Sequence, residues 1–258
     1  MKNIHNLVRE GKLSDALTWC ATQLKDEPLN FDIRSIYSEL LCINGELDKA
    51  DKQLDFMVQK NPELAVGAVN LRHLIRAQQA RFDFYQGKAI PKLFHDPDDM
   101  DKLFLETHVA LLESDYDKAS QLSKKMEELR TQKSQENDSP IRDLDDSLSP
   151  YLEVLGTNGE FYLANFNEIE ILKVEKVESF LENIWLRVEI VIKDGPSGTA
   201  HLPLVYANAT TDIEKLGQIS DWEELSDELT IGKGMKMVFV NDEAITISNL
   251  NINCFETA

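Results

Sequence analysis

At 258 residues the chain is long enough for one large or two modest domains with a real core, and 42% hydrophobic with 28% charged residues is the make-up of a globular protein. The net charge of −19 repels phosphate backbones and anionic lipid surfaces, which argues against nucleic acid and membrane as partners. No apolar run approaches the roughly 20 residues that span a bilayer, and Met1 to Glu10 has no signal-peptide pattern, so a cytoplasmic location is expected.

The acid is unevenly spread. Residues 1–94 hold 13 Lys/Arg against 12 Asp/Glu, residues 95–149 hold 7 against 15, and residues 150–258 hold 7 against 19. Cys20, Cys42 and Cys254 are widely spaced, without a C-x-x-C pair, and fit neither a disulfide framework nor a zinc site. Cys20 and Cys42 fall on apolar helix faces and read as buried thiols.

The front of the chain repeats with a period of 34. Gly11, Leu13, Ala16 and Pro28 recur as Gly45, Leu47, Ala50 and Pro62. This is the turn and second helix of a tetratricopeptide-like unit. Glycine allows the tight turn between antiparallel helices, the small alanine lets them approach, and proline stops the second helix. Ile33, Ile36, Tyr37, Leu40 and Leu41 mark the first helix of the second unit at helical spacing. The first unit is truncated to Ile4, Leu7 and Val8. A degraded third unit is read over Leu103 to Leu129, where Ser114 to Ala119 echoes the turn.

A long helix is expected from about Glu63 to Gln86, with Arg72, Arg76 and Arg81 on its polar side. Gly87 and Pro91 close it. Asp96 to Asp101 resembles a calcium loop but lacks the glycine at the sixth position and the glutamate at the twelfth, and reads as helix-capping acid. Residues 131–146 are nearly free of large apolar groups and read as a linker or mobile loop.

Beyond it the period changes to that of strands. Glu160 to Phe166 follows the Asn158-Gly159 turn, Ile169 to Val174 and Ile184 to Ile192 alternate, and Asp194 to Gly198 turns into Ala200 to Tyr206. Lys236 to Val240, Ala244 to Ile247 and Asn249 to Phe255 complete the strand set, with a turn at Asn241-Asp242-Glu243. Glu178 to Asn183 and Ser220 to Leu225 are expected as short helical connectors. The fold class is therefore α+β: tetratricopeptide-like helical repeats over 1–130, a linker over 131–146, and a mainly antiparallel β-sheet or open-barrel domain over 147–258.

The order of features resembles a known family. Leu40 to Leu47, the helix end Phe84 to Pro91, Leu152 to Leu155, Asn158-Gly159, Phe161-Tyr162, Trp185, Leu202 to Tyr206 and Asp221-Trp222 are similar in sequence to the ImpE/TagJ accessory proteins of bacterial type VI secretion, over nearly the full length. One departure is Leu202-Pro203-Leu204-Val205-Tyr206, where relatives tend to carry Pro-x-Arg-Tyr. The resemblance implies a cytoplasmic adaptor that binds a helical segment of the small contractile-sheath subunit and helps couple the sheath to its AAA+ unfoldase, ClpV. It implies no catalytic residues.

The residues alone agree. His5, His73, His95, His108 and His201 are scattered, with no metal-ligand spacing, P-loop, G-x-S-x-G or dinucleotide fingerprint, so neither catalysis, metal nor cofactor is expected. Stacked helix pairs form a groove lined by the first helix of each unit. Arg34, Tyr37, Leu40, Arg72, His73 and Arg76 are its candidate partner-binding residues. An alternative role is a cytosolic chaperone whose acidic surface holds a basic effector. A third is an enzyme using the carboxylate-rich second half.

Overall fold

The computed structural model describes residues 2–137, 141–241 and 243–253. Seven helices lead: α1 (Lys2–Arg9), α2 (Leu13–Asp26), α3 (Phe31–Ile43), α4 (Leu47–Lys60), α5 (Ala65–Tyr85), α6 (Asp99–Leu112) and α7 (Tyr116–Asn137). Helices α1 to α5 pack each on the next, and α6 packs on α7, so the 34-residue period is a stack of antiparallel pairs. Its turns share one cap geometry. Gly45 takes the left-handed conformation, its N–H bonds Cys42 O, and the Glu46 N–H reaches back to Leu41 O. Gly11 and Gly87 do the same, and Ser114 holds the equivalent left-handed position between α6 and α7. The degraded third unit is thus a helical pair whose turn dispenses with glycine.

Ala16 and Ala50 are fully buried where the paired helices meet, and Cys20 and Cys42 are buried thiols; Cys254 lies outside the described residues. Asp98 caps α6, accepting from the Met100 N–H, and forms a capping box with Asp101. No helix among the described residues is long and apolar enough to cross a membrane.

The strands are β1 (Lys92–Leu93), β2 (Arg142–Asp143), β3 (Tyr151–Gly156), β4 (Phe161–Asn165), β5 (Ile169–Val174), β6 (Trp185–Ile192), β7 (Ser197–Pro203), β8 (Ser220–Ser226), β9 (Leu229–Gly234), β10 (Met237–Val240), β11 (Glu243–Thr246) and β12 (Ile252–Asn253), with a short helix α8 (Asp212–Lys215). Seven form an open sheet in the order β1-β4-β3-β7-β6-β5-β12. It is antiparallel except where β1, from the helical half, runs parallel to β4. Its edge strands β1 and β12 do not pair with each other, so the open-sheet form of the expectation holds and the barrel is not closed. Strands β11-β10-β2 make a second, smaller sheet, and β8-β9 a hairpin.

Alternation sorts the large sheet into two faces. Tyr151, Leu155, Phe161, Leu163 and Trp185 join the helices in one core, while Leu152, Val154, Leu186, Val188 and Val238 pack the other side. Strand β3 is buried on both faces, which puts its one charged residue, Glu153, between sheet and helices.

Three local expectations need correction. Ser220 to Leu225 is not helical but is β8, paired with β9; its acidic, exposed residues carry too few apolar positions to reveal a period of two. Of the second connector, only Leu181–Asn183 forms a helical turn. Of the expected linker, residues 131–137 extend α7, 138–140 lie outside the described residues, and 141–146 are built into the β half, where Asp143 and Asp145 are buried. Polar composition there marks buried hydrogen-bonding groups rather than solvation.

Candidate functional site

The first helices of the units, α1, α3 and α5, face the chain's own second half. The His5 ring lies 4.7 Å from that of Phe180, the Leu181 N–H donates to Glu39 Oε2 at 3.2 Å, and His73 Nδ1 meets Thr157 O at 2.7 Å. Part of the groove expected to receive a partner is therefore filled from within. A cleft of about 480 Å³ remains between α3, α5 and the sheet, with Leu71, Leu74, Leu181 and Trp185 as apolar walls and Glu39 and His201 among its polar ones. Beside it the first turns of α5 carry Val66 and Val69, 75% and 48% exposed.

The six candidates from the sequence do not converge. Leu40 is fully buried and offers no surface. Arg34 is also buried, stacked 4.1 Å over the Phe56 ring and donating to Pro28 O and Gln53 Oε1. It ties α3 to α4, a correction to its expected role at a surface. Tyr37 is half-buried against the helical core. Arg72 is turned toward α4, where it pairs with Asp51 at 2.7 Å and Asp55 at 3.0 Å. His73 and the exposed Arg76 stand by the Thr157–Gly159 turn, where a side-chain carbon added to Gly159 would lie 3.5 Å from Arg76 Cβ.

Arg81 is placed quite differently from Arg72 and Arg76. It is 2% exposed, so the expectation that it shares their polar face is wrong. Its guanidinium grips Glu153 through Nε at 2.7 Å and Nη2 at 2.8 Å, and Nη2 also donates to Val205 O. Lys236, fully buried, places Nζ 2.9 Å from Glu153 and 3.0 Å from Asp143. Tyr85 donates to Glu153 and Tyr206 to Asp143. Two cations and two anions are thus sealed together where α5 meets the sheet. Burial alone would raise the pKa of Glu153, but Arg81 and Lys236 outweigh it and hold the carboxyl at about 2.

Asp145 borders this cluster. Burial, then the charge of Asp143, pushes it up to about 7. Its oxygens accept from the Ser147 N–H and hydroxyl and from the Gly232 N–H. Asp143, Asp145 and Glu153 are thus all engaged in contacts within the fold. Gly232 is fixed by the same packing, since a Cβ there would sit 2.2 Å from the Tyr206 ring. Gly232→Ala should displace that ring from Asp143 and cost about 1–3 kcal/mol, read by urea denaturation; unchanged stability would mean the ring moves freely.

A second junction joins α6 to the sheet. His95 meets Asp101 at 2.9 Å and Glu168 at 2.5 Å, and Tyr151 donates to Asp101 at 2.6 Å. Burial lowers the His95 pKa, yet the hydrogen bond to Asp101 and the charge of Glu168 leave it raised. His95, Asp98 and Asp101 offer ligand atoms within 4.8 Å of one another, but Asp101 is already committed to His95, Tyr151 and the Asp98 N–H.

Comparison with known proteins fits this architecture. The family model described as ImpE protein matches residues 135–252. The chain is 25% identical to the type VI secretion system accessory component TagJ of Pseudomonas aeruginosa, over 93% of this chain and 86% of that protein. The crystal structure of protein VPA1032 from Vibrio parahaemolyticus superposes with a TM-score of 0.89 at 34% identity, covering 96% of each chain. The chain is thus similar to the ImpE and TagJ proteins. The ImpE match takes in Asp143, Glu153 and Lys236 but not Arg81. The charge balance of the matched region is completed by a helix outside it.

Proposed function

We propose that this protein is a non-catalytic, cytoplasmic adaptor of type VI secretion that holds a helical segment of the small contractile-sheath subunit and helps couple the sheath to the ClpV unfoldase. The supporting observation is the apolar cleft between α3, α5 and the sheet, with Val66 and Val69 exposed beside it. These valines are three residues apart, so they share one flank of α5. An amphipathic helix entering the cleft would pack on Leu71 and Leu74 and cover Val66 at its edge, the geometry of helix-in-groove recognition. His73 and Arg76 would border it, whereas Arg72 faces α4. Kinship with TagJ, itself named an accessory component, makes the sheath subunit the first partner to try.

The test is co-purification with the small sheath subunit, followed by calorimetric titration of its helix. Val66→Glu combined with Val69→Glu should weaken binding by about tenfold or more, since two buried apolar contacts become desolvated charges. Circular dichroism should stay unchanged, because neither residue belongs to the core. Full affinity in the double variant would remove the cleft from consideration. Retention of a basic secreted effector in place of the sheath subunit would favour the chaperone role.

A further inference from the structure

A second cavity, of about 270 Å³, opens on another part of the molecule, where the end of α5, the α6–α7 turn, residues 145–148, residues 206–208 and the β8–β9 hairpin meet. Tyr85, Tyr116, Tyr206, Asn208 and Glu223 line it, together with Asp145, whose oxygens are already held by Ser147 and the Gly232 N–H. Neither lysine nor arginine lines it. His108, also in the wall, has its pKa pushed down by burial and bonds Phe84 O. The Asn208 side-chain oxygen is shielded from solvent and has no hydrogen-bond partner among the described residues. Such an acceptor costs stability until a donor reaches it.

The surroundings repeat this chemistry. Leu112 and Tyr116 at the mouth are exposed, as are Val109 one turn before Leu112 and Trp222, whose ring lies 6.0 Å from Tyr206. Glu113, Asp115 and Asp117 on the α6–α7 turn, and Asp221 and Glu224 on β8, are exposed acids beside them in the chain. Lys233 pairs with Glu223 at 2.7 Å on the surface, an exposed pair that is readily exchanged.

From this combination we propose that the cavity is a docking pocket for an arginine side chain presented by a basic segment of a protein partner. A guanidinium supplies donors and no acceptor, matching an oxygen-lined pocket. Its methylenes suit the walls of Leu111, Leu225 and Ile231, and its plane can stack on the ring of Tyr116. The acid of the second half then serves to attract a particular side chain, and the surface is distinct from the cleft beside Val66.

The probe is the pentapeptide acetyl-Ala-Leu-Arg-Leu-Ala-amide, with a citrulline version of equal shape and no charge, titrated into the 15N-labelled full chain. The arginine peptide should shift the amides of Leu112, Tyr116 and Glu223, and bind about tenfold more tightly than the citrulline peptide, with the advantage shrinking as salt rises. Tyr116→Ala and Glu223→Gln, both exposed positions, should each weaken the arginine peptide while leaving the spectrum of the core intact. Equal binding of the two peptides, shifts confined to other residues, or no shift at millimolar peptide would overturn the proposal. So would sedimentation showing a dimer that Tyr116→Ala dissolves, since a second copy would then be the occupant.

Discussion

Glu153→Ala is expected to lower stability by about 3–5 kcal/mol, because it leaves Arg81 and Lys236 buried without their shared anion. At about 2–4 °C per kcal/mol for a chain of this size, the melting temperature should fall by about 6–20 °C. The size follows from geometry: Glu153 takes two bonds from Arg81, one from Tyr85 and a contact from Lys236, all out of water. Glu153→Gln keeps the shape but not the charge and should fall between. The folded pKa of about 2 lies below the ordinary 4.5, so this contribution is complete above pH 4.5 and fades as pH drops toward 2. Differential scanning calorimetry reads all of this; a shift smaller than about 2 °C would mean that water reaches the cluster and replaces the lost anion.

The second large effect is the stability that His201 alone takes away on mild acidification. Its ring faces the cleft, where Nδ1 is buried without a hydrogen-bond partner. Burial first, and then the positive charge of Arg187, hold its pKa down to about 4 against an ordinary 6.5. The unfolded chain therefore binds a proton that the folded one refuses. His201 contributes fully above pH 6.5, and about 3 kcal/mol of that is lost by pH 4. Asp145 works in the opposite sense: raised to about 7 from 3.8, it gains stability as pH falls through the same range. The two nearly cancel in the native chain, so the signature lies in a difference. His201→Leu should be more stable than the parent by a margin that grows from pH 7 to pH 4 in urea titrations. A constant margin would show that the ring titrates as it does in water.

Much of the front half could be read from the chain because its rules are local. Gly11 and Gly45 need a left-handed turn, Ala16 and Ala50 need contact, and each need is met within one helical pair. The exposed β8 was hidden for the converse reason: Ser220 to Glu224 has one large apolar residue, Trp222, so neither a period of 2 nor of 3.6 emerges. The ionic cluster was harder still, since charge is read as exposure. Two signs were nevertheless present. Glu153 interrupts a strand, Tyr151 to Leu155, that is otherwise entirely apolar. Arg81 stands nine residues from Arg72, about half a turn round the helix, on the side of Leu74 and Gln78 rather than of the solvated arginines. Lys236, in a stretch of small residues and methionines, gave none. The partner-binding candidates failed at Arg34 and Leu40 because a groove lined by first helices presumes an open groove. Here the chain's own Phe180 and Leu181 lie in it.

The distance in sequence between Arg81 and Lys236 bears on how the protein is made. Helices α1 to α4 touch mainly their immediate neighbours, so they can pair as they leave the ribosome. The Arg81 guanidinium, however, must stay hydrated until residue 153 has been synthesised, and the balance of charge is reached only with residue 236. Synthesis stalled anywhere between would leave a nascent helical stack with one wet, unsealed face, open to whatever acidic chain passes by.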